Sequence, residues 1–219
     1  MPSKLPSQQD GAFAALRQFA RKRTVVERCE MCSLELAGGH EHLVEPVNRK
    51  LICACQACAI LFEGQSGAKY KRVPREVLFL RDFQLTDAQW DGLMVPIEMA
   101  FFFKNSPQEK MIALYPSPAG PTESLLSLES WSDIVQMNPI LSEMEDDVSA
   151  LLVNRVGHVR GATPAEYYLV PIDECYKLVG LIRTHWRGLS GGTEVWREIG
   201  VFFAGLRKRA NFGQEATRA

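Results

Sequence analysis

Two C-x-x-C turns, Cys29-Glu30-Met31-Cys32 and Cys55-Gln56-Ala57-Cys58, carry the clearest chemistry in the chain, and Cys53 stands just before the second. Five of the six cysteines therefore fall between positions 29 and 58, with His40 and His42 between the two groups. Thiolates bind soft and borderline cations, and two C-x-x-C turns at this separation have the ligand count and spacing of a tetrahedral metal site. Each turn supplies two sulfurs, and the intervening chain lets them converge on one ion. Cys29, Cys32, Cys55 and Cys58 form a closed set by themselves. Cys53, His42 and His40 are further candidate ligands, because mixed Cys/His sites are common. Cysteines without any metal are the remaining alternative. Zinc is the expected ion, and iron bound as in rubredoxin fits the same four sulfurs. The simplest use of such a site is to staple a small module with little core of its own. The surplus Cys53 and the two histidines could instead serve metal transfer.

The elements around these residues follow from local pattern. Leu43-Val44 and Lys50-Leu51-Ile52 flank Pro46 and Asn48, which predicts a hairpin between the cysteine groups. The apolar run Ala59-Ile60-Leu61-Phe62 follows Cys58 and reads as a short helix, with Cys55 and Cys58 in its first turn. Turn, hairpin and helix in that order make the plan of a treble-clef or ribbon-like zinc module. The expected organisation is a tail and helix over 1–24, the metal module over 25–70, an α+β domain over 71–210 and a tail over 211–219. The first helix rests on the stripe Phe13, Leu16, Phe19 and Ala20, and its basic end, Arg21-Lys22-Arg23, suits the helix dipole.

Within the larger domain, Thr86-Asp87-Ala88-Gln89 is a capping box, and Trp90 and Leu93 give its helix a buried face. Residues 97–103 and 111–115 read as a strand pair, with a buried helix as the alternative for 98–103. The Pro- and Gly-dense stretch 115–123 reads as a loop. Trp131, Ile134 and Val135 mark a helix that Asn138-Pro139 stops, and 150–153 and 167–170 read as strands. Pro171 opens a helix through Ile172, Cys175, Val179, Ile182 and Trp186, with Gly188 placed to end it. A last helix buries Val195, Ile199, Phe202, Phe203 and Leu206. The fold class is α+β.

Composition limits the function classes. Apolar residues make up 46% and charged residues 23% of the 219, enough for a proper core and against wholesale disorder. A formal charge of −1 gives no global drive toward nucleic acid or an anionic membrane. A zinc ribbon using Arg17, Arg21, Lys22 and Arg23 on nucleic acid is disfavoured by that balance and by the lack of interleaved aromatics. No run reaches the ~20 apolar residues of a membrane span, and no secretory signal is visible. A reducing cytoplasm is the simplest location and favours metal over disulfides. No nucleophile elbow, P-loop or dinucleotide fingerprint occurs, so a non-enzymatic protein is expected. Cys175 reads as a small hydrophobe on a helix face, and His158 and His185 as structural. Tyr115, Pro116, Ser117 and Pro118, together with Trp186 and Arg187, are the candidate residues of a second binding surface.

Three long motifs carry a resemblance over about 28–206: RCEMC with HEHLVE and LICACQACAILF, then AFFF with YPSPAG and TESL, and LVPIDECYKLVGLIRTHWRGLSGG. On these the chain resembles an uncharacterised bacterial family, DUF5947. That family's pattern includes the 29/32 and 53/55/58 cysteines and the histidine at 42. The resemblance implies an accessory protein encoded beside [NiFe] uptake hydrogenases, with a hydrogenase subunit or maturation factor as its protein partner. The spacing of the cysteines by itself implies only a metal.

Overall fold

The computed structural model describes residues 26–63, 69–124, 128–158 and 163–212. The expected helix over 13–23, most of the linker after Gly64 and the end of the C-terminal tail lie outside them.

Two sheets organise the chain. The smaller joins β1 (Glu41–Glu45), β2 (Lys50–Ala54) and β3 (Lys71–Arg72) in the order β2-β1-β3, and helix α1 (Gln56–Phe62) follows β2. The larger contains β4 (Leu78–Phe79), β5 (Met99–Asn105), β6 (Lys110–Ser117), β7 (Gly120–Glu123), β8 (Ser149–Asn154), β9 (Glu166–Pro171) and β10 (Asn211–Phe212). Their order is β10-β4-β9-β8-β5-β6-β7, antiparallel except for β10 beside β4. Helices α2 (Asp87–Gly92) and α3 (Leu128–Met137) cover one face, and α4 (Ile172–His185) and α5 (Gly192–Arg209) cover the other.

Double cover explains the run Met99-Ala100-Phe101-Phe102-Phe103, whose residues are all buried. Met99, Phe101 and Phe103 face α4 and α5, while Ala100 and Phe102 face Trp90 and Trp131 on α2 and α3. A strand buried on both faces loses its period-two polarity. For that reason periodicity leaves a helix open there, and the structure decides for the strand. The Thr86 capping box forms as the sequence predicts: Thr86 Oγ1 accepts from Gln89 N–H, and the Gln89 side chain accepts from Thr86 N–H. Pro171 stands immediately before α4, and Gly191, at φ 86°, stands before α5.

The stretch 115–123 is not a loop. It is the end of β6 and the edge strand β7, with Pro116 opposite Pro121 and a tight turn at Ser117–Gly120. Proline cannot donate to a ladder, but a sheet edge tolerates it. There Ser117 Oγ closes the turn on Gly120 O at 2.8 Å.

The small sheet is docked on the large one through one of the two faces of β1. Leu43 points into a core formed with Ile52, Ala54 and the cysteines, whereas Val44 joins Ile172, Phe103 and the rest of the core beneath α4. Polar ties reinforce the contact. Asn105 Nδ2 donates to Pro46 O at 3.1 Å, Arg49 pairs with Glu123 at 3.1 Å, and Lys71 Nζ meets the buried Asp147 at 2.6 Å. Among the described residues, no helix is long and apolar enough to cross a membrane.

Candidate metal centre

Cys29 and Cys32 sit on a tight turn whose ends are zipped by Cys29 N–H to Leu34 O and Ser33 N–H to Cys29 O, both 2.8 Å. Ser33 takes the left-handed conformation, φ 64°, which reverses the chain and presents both sulfurs on one side. Glu30 then clamps this turn to the hairpin. Its N–H donates to Cys53 O at 2.9 Å, its carboxylate accepts from Cys53 N–H at 3.0 Å, and Lys50 Nζ holds the other oxygen at 3.0 Å.

The second pair comes from the helix start. Cys55 caps α1, its Sγ accepting from Cys58 N–H at 3.5 Å, so Cys58 is carried round to the same side by the first helical turn. The ligand atoms of Cys29, Cys32, Cys55 and Cys58 all lie within 4.8 Å of one another. Cys32 Sγ and Cys55 Sγ are 3.7 Å apart. Sulfurs placed 2.3 Å from a central ion at tetrahedral corners are separated by roughly 3.8 Å. The Cys32–Cys55 separation matches that edge, and all four sulfurs lie close enough together to meet on one ion.

Its electrostatics ask for a cation. Burial opposes ionisation of Cys29, yet the backbone N–H groups of Cys55, Cys32 and Met31 converge on its sulfur and bring it down to about 6. Cys58 goes the other way, pushed up to about 12 by burial and by the neighbouring Cys55, Cys32 and Cys29 sulfurs. Negative charge gathers at Cys29 and is resisted at Cys58. A positive ion at the centre removes that resistance, and all four sulfurs can then ligate.

Cys53, His40 and His42 are not part of this set. Their side chains form a second group, with ligand atoms within 4.8 Å of one another. The cause is strand alternation: Cys53 lies opposite His42 in the β1–β2 register, on the face turned away from Leu43, Ile52 and the four sulfurs. His42 Nδ1 meets Asp173 Oδ2, in the first turn of α4, at 2.9 Å. No spacing rule links Asp173 to the cysteines, since only the docking of the two sheets brings it there. Cys175, on the inner face of α4, is fully buried in the core, as a small apolar residue would be.

The residues of the other candidate surface do not all share one face of the sheet. Tyr115 packs beside α2 and α3, whereas Trp186 packs on the opposite face of the sheet. Trp186 Nε1 donates to Gly188 O, and Arg187 donates to Thr184 O and Trp186 O, so both close their own turn. A different groove, of about 740 Å³, runs between α5 and the β8–β9 end and is lined by Asn154, Glu166, Trp196 and Arg207 among others.

The profile of a family of unknown function, DUF5947, matches residues 28–210. The chain belongs to the DUF5947 family. The matched region takes in the four-cysteine centre, the His/Cys group and both sheets except β10, so the centre is set within the DUF5947 domain itself. No curated protein and no solved structure matches the chain.

Proposed function

We propose that this DUF5947 protein is a metal-binding accessory protein in which Cys29, Cys32, Cys55 and Cys58 hold one structural zinc ion in a treble-clef-type module. The observation that carries this reading is the convergence of four sulfurs within 4.8 Å of one another on a turn, hairpin and helix. The local core consists of little besides Leu43, Ile52, Ala54, Ala59 and the cysteines. So small a core gains much of its stability from a bound metal. A closed four-thiolate site leaves no position open for substrate, which favours a structural role over a catalytic one. Reduced thiols are required, and a reducing cytoplasm maintains them.

The module also offers Leu34 and Ile60, each 58% exposed, to a protein partner. The resemblance at residues 28–206 points to a [NiFe] hydrogenase subunit or maturation factor as that partner. Elemental analysis of protein purified without added metal tests the metal assignment. Zinc that survives dialysis and disappears in Cys58→Ser is expected; red protein with thiolate-to-iron bands would reassign the site to electron transfer. Affinity capture with the full chain from a hydrogenase-producing host tests the partner, and recovery of neither class of hydrogenase protein would reject it.

A further inference from the structure

A second group of ligating side chains lies on the other face of the same hairpin. His40, His42 and Cys53 bring three donor atoms within 4.8 Å of one another. The rings of His40 and His42 are neighbours, with centroids 4.7 Å apart. Each imidazole is fixed through Nδ1. That of His42 is held by Asp173 Oδ2 at 2.9 Å, and that of His40 by the Ala37 carbonyl at 3.2 Å, with Glu27 Oε2 at 3.5 Å. A carboxylate and a carbonyl can only accept, so both Nδ1 atoms carry a proton, and in the neutral imidazole a metal would bind, Nε2 offers the lone pair.

The lone pair on His40 is left without a partner. Its side chain is 9% exposed, and Nε2 is buried with no hydrogen bond. An unsatisfied buried acceptor is costly in a protein interior, and a cation beside Cys53 would satisfy it. Carboxylate–histidine and carbonyl–histidine pairs of this kind orient imidazoles toward metals. Cys53 adds a soft donor from the paired strand.

We propose that His40, His42 and Cys53 form a second, separate site for a zinc-class divalent cation, with the fourth coordination position open. Three protein ligands and one free position make the bound ion exchangeable, unlike the closed four-sulfur centre. The ion would sit at the seam between the hairpin and the first turn of α4, with Asp173 as its outer partner from the larger domain. His40 lines a shallow surface depression of about 400 Å³, which brings solvent close to one member of the group. This site does not depend on the four-sulfur assignment, because it shares no ligand with it.

Cobalt(II) titration of the full-length protein, already carrying its tightly bound metal, is the test. One further equivalent is expected, with visible ligand-field bands and a single-thiolate charge-transfer band. His40→Gln and Cys53→Ser should each abolish that equivalent while retaining the tightly bound one. Asp173→Asn should keep the stoichiometry and weaken the affinity 10- to 100-fold, the usual cost of losing such an outer partner. Wild-type protein that takes no further cobalt overturns the site without needing any variant. A further equivalent that persists in both His40→Gln and Cys53→Ser overturns it as well. Loss of the tightly bound metal in folded Cys53→Ser, judged by circular dichroism, would place Cys53 in the four-sulfur set and refute the separation. Protein without the tight metal that still takes one cobalt, lost in His40→Gln, would reject the four-sulfur reading and uphold this one.

Discussion

Replacing Asp147 tests how firmly the small sheet is joined to the large one. Asp147 is 2% exposed and accepts four hydrogen bonds. Oδ1 takes Asn105 Nδ2 at 3.1 Å and Ser106 N–H at 2.9 Å, while Oδ2 takes Ser106 Oγ at 2.5 Å and Lys71 Nζ at 2.6 Å. Lys71 belongs to β3 of the small sheet, and Asn105 also holds Pro46 in the β1–β2 turn. One carboxylate thus ties two segments of the module to the end of β5. Asp147→Ala removes all four bonds. Bonds from the three neutral donors to this carboxylate contribute about 1.5–3 kcal/mol each, offset in part by the cost of burying its charge. Lys71 is 39% exposed, so its ion pair is screened by solvent and adds about 1 kcal/mol or less. The residue also has φ 72°, a left-handed conformation that costs alanine about 1 kcal/mol more than aspartate. Together these predict a destabilisation of about 3–5 kcal/mol for Asp147→Ala. Asp147→Asn keeps one acceptor and tolerates the backbone, and should lose only about 1–2 kcal/mol. Urea unfolding followed by tryptophan fluorescence reads both. An Asp147→Ala protein within about 1 kcal/mol of wild type would show that this reasoning overvalues the junction.

Other perturbations follow from the same geometry. Gly191→Ala places a Cβ 2.8 Å from Val195 Cγ1 and 3.1 Å from the Trp186 ring at φ 86°, so thermal unfolding should report a loss of about 2–4 kcal/mol. Phe102→Ala empties the space between Trp131, stacked at 5.4 Å, and Trp90, edge-on at 6.4 Å, and should cost about 3–5 kcal/mol in denaturant titration. The Arg155 guanidinium beside Asp87 holds that carboxyl below its ordinary value of 3.8. A carboxyl lowered on folding stabilises the native state above the unfolded value and loses that effect as pH falls through the native one. Asp87→Asn should therefore be less stable than wild type at neutral pH, with the gap narrowing as pH falls below 3.8; a gap constant into the acid range would show that the ion pair is not its source.

Much of the site was legible because its signals are local. Two C-x-x-C spacings, a hairpin between them and an apolar run after Cys58 were enough to place four sulfurs on one centre. The capping box at Thr86 and the helix opened by Pro171 are likewise written within a few residues. What was not legible depends on contacts distant in sequence. Cys53, His40 and His42 look like spare ligands for the same ion until strand pairing turns them to the opposite face. Asp173 reaches His42 only because Val44 docks the hairpin beneath α4. The prolines at 116 and 121 resemble loop residues, since nothing in the sequence marks β7 as a sheet edge. Tyr115 and Trp186 look like partners only while the sheet between them is unknown. The strand ambiguity at 98–103 has one physical source: a strand covered on both faces carries no alternation to read.

The central claim is that four thiolates share one ion. X-ray absorption at the metal edge, on protein holding a single equivalent, tests it most directly. The account predicts a zinc edge and a single shell of four sulfurs near 2.3 Å. A shell containing nitrogen or oxygen, or protein that retains no metal at all, would contradict it.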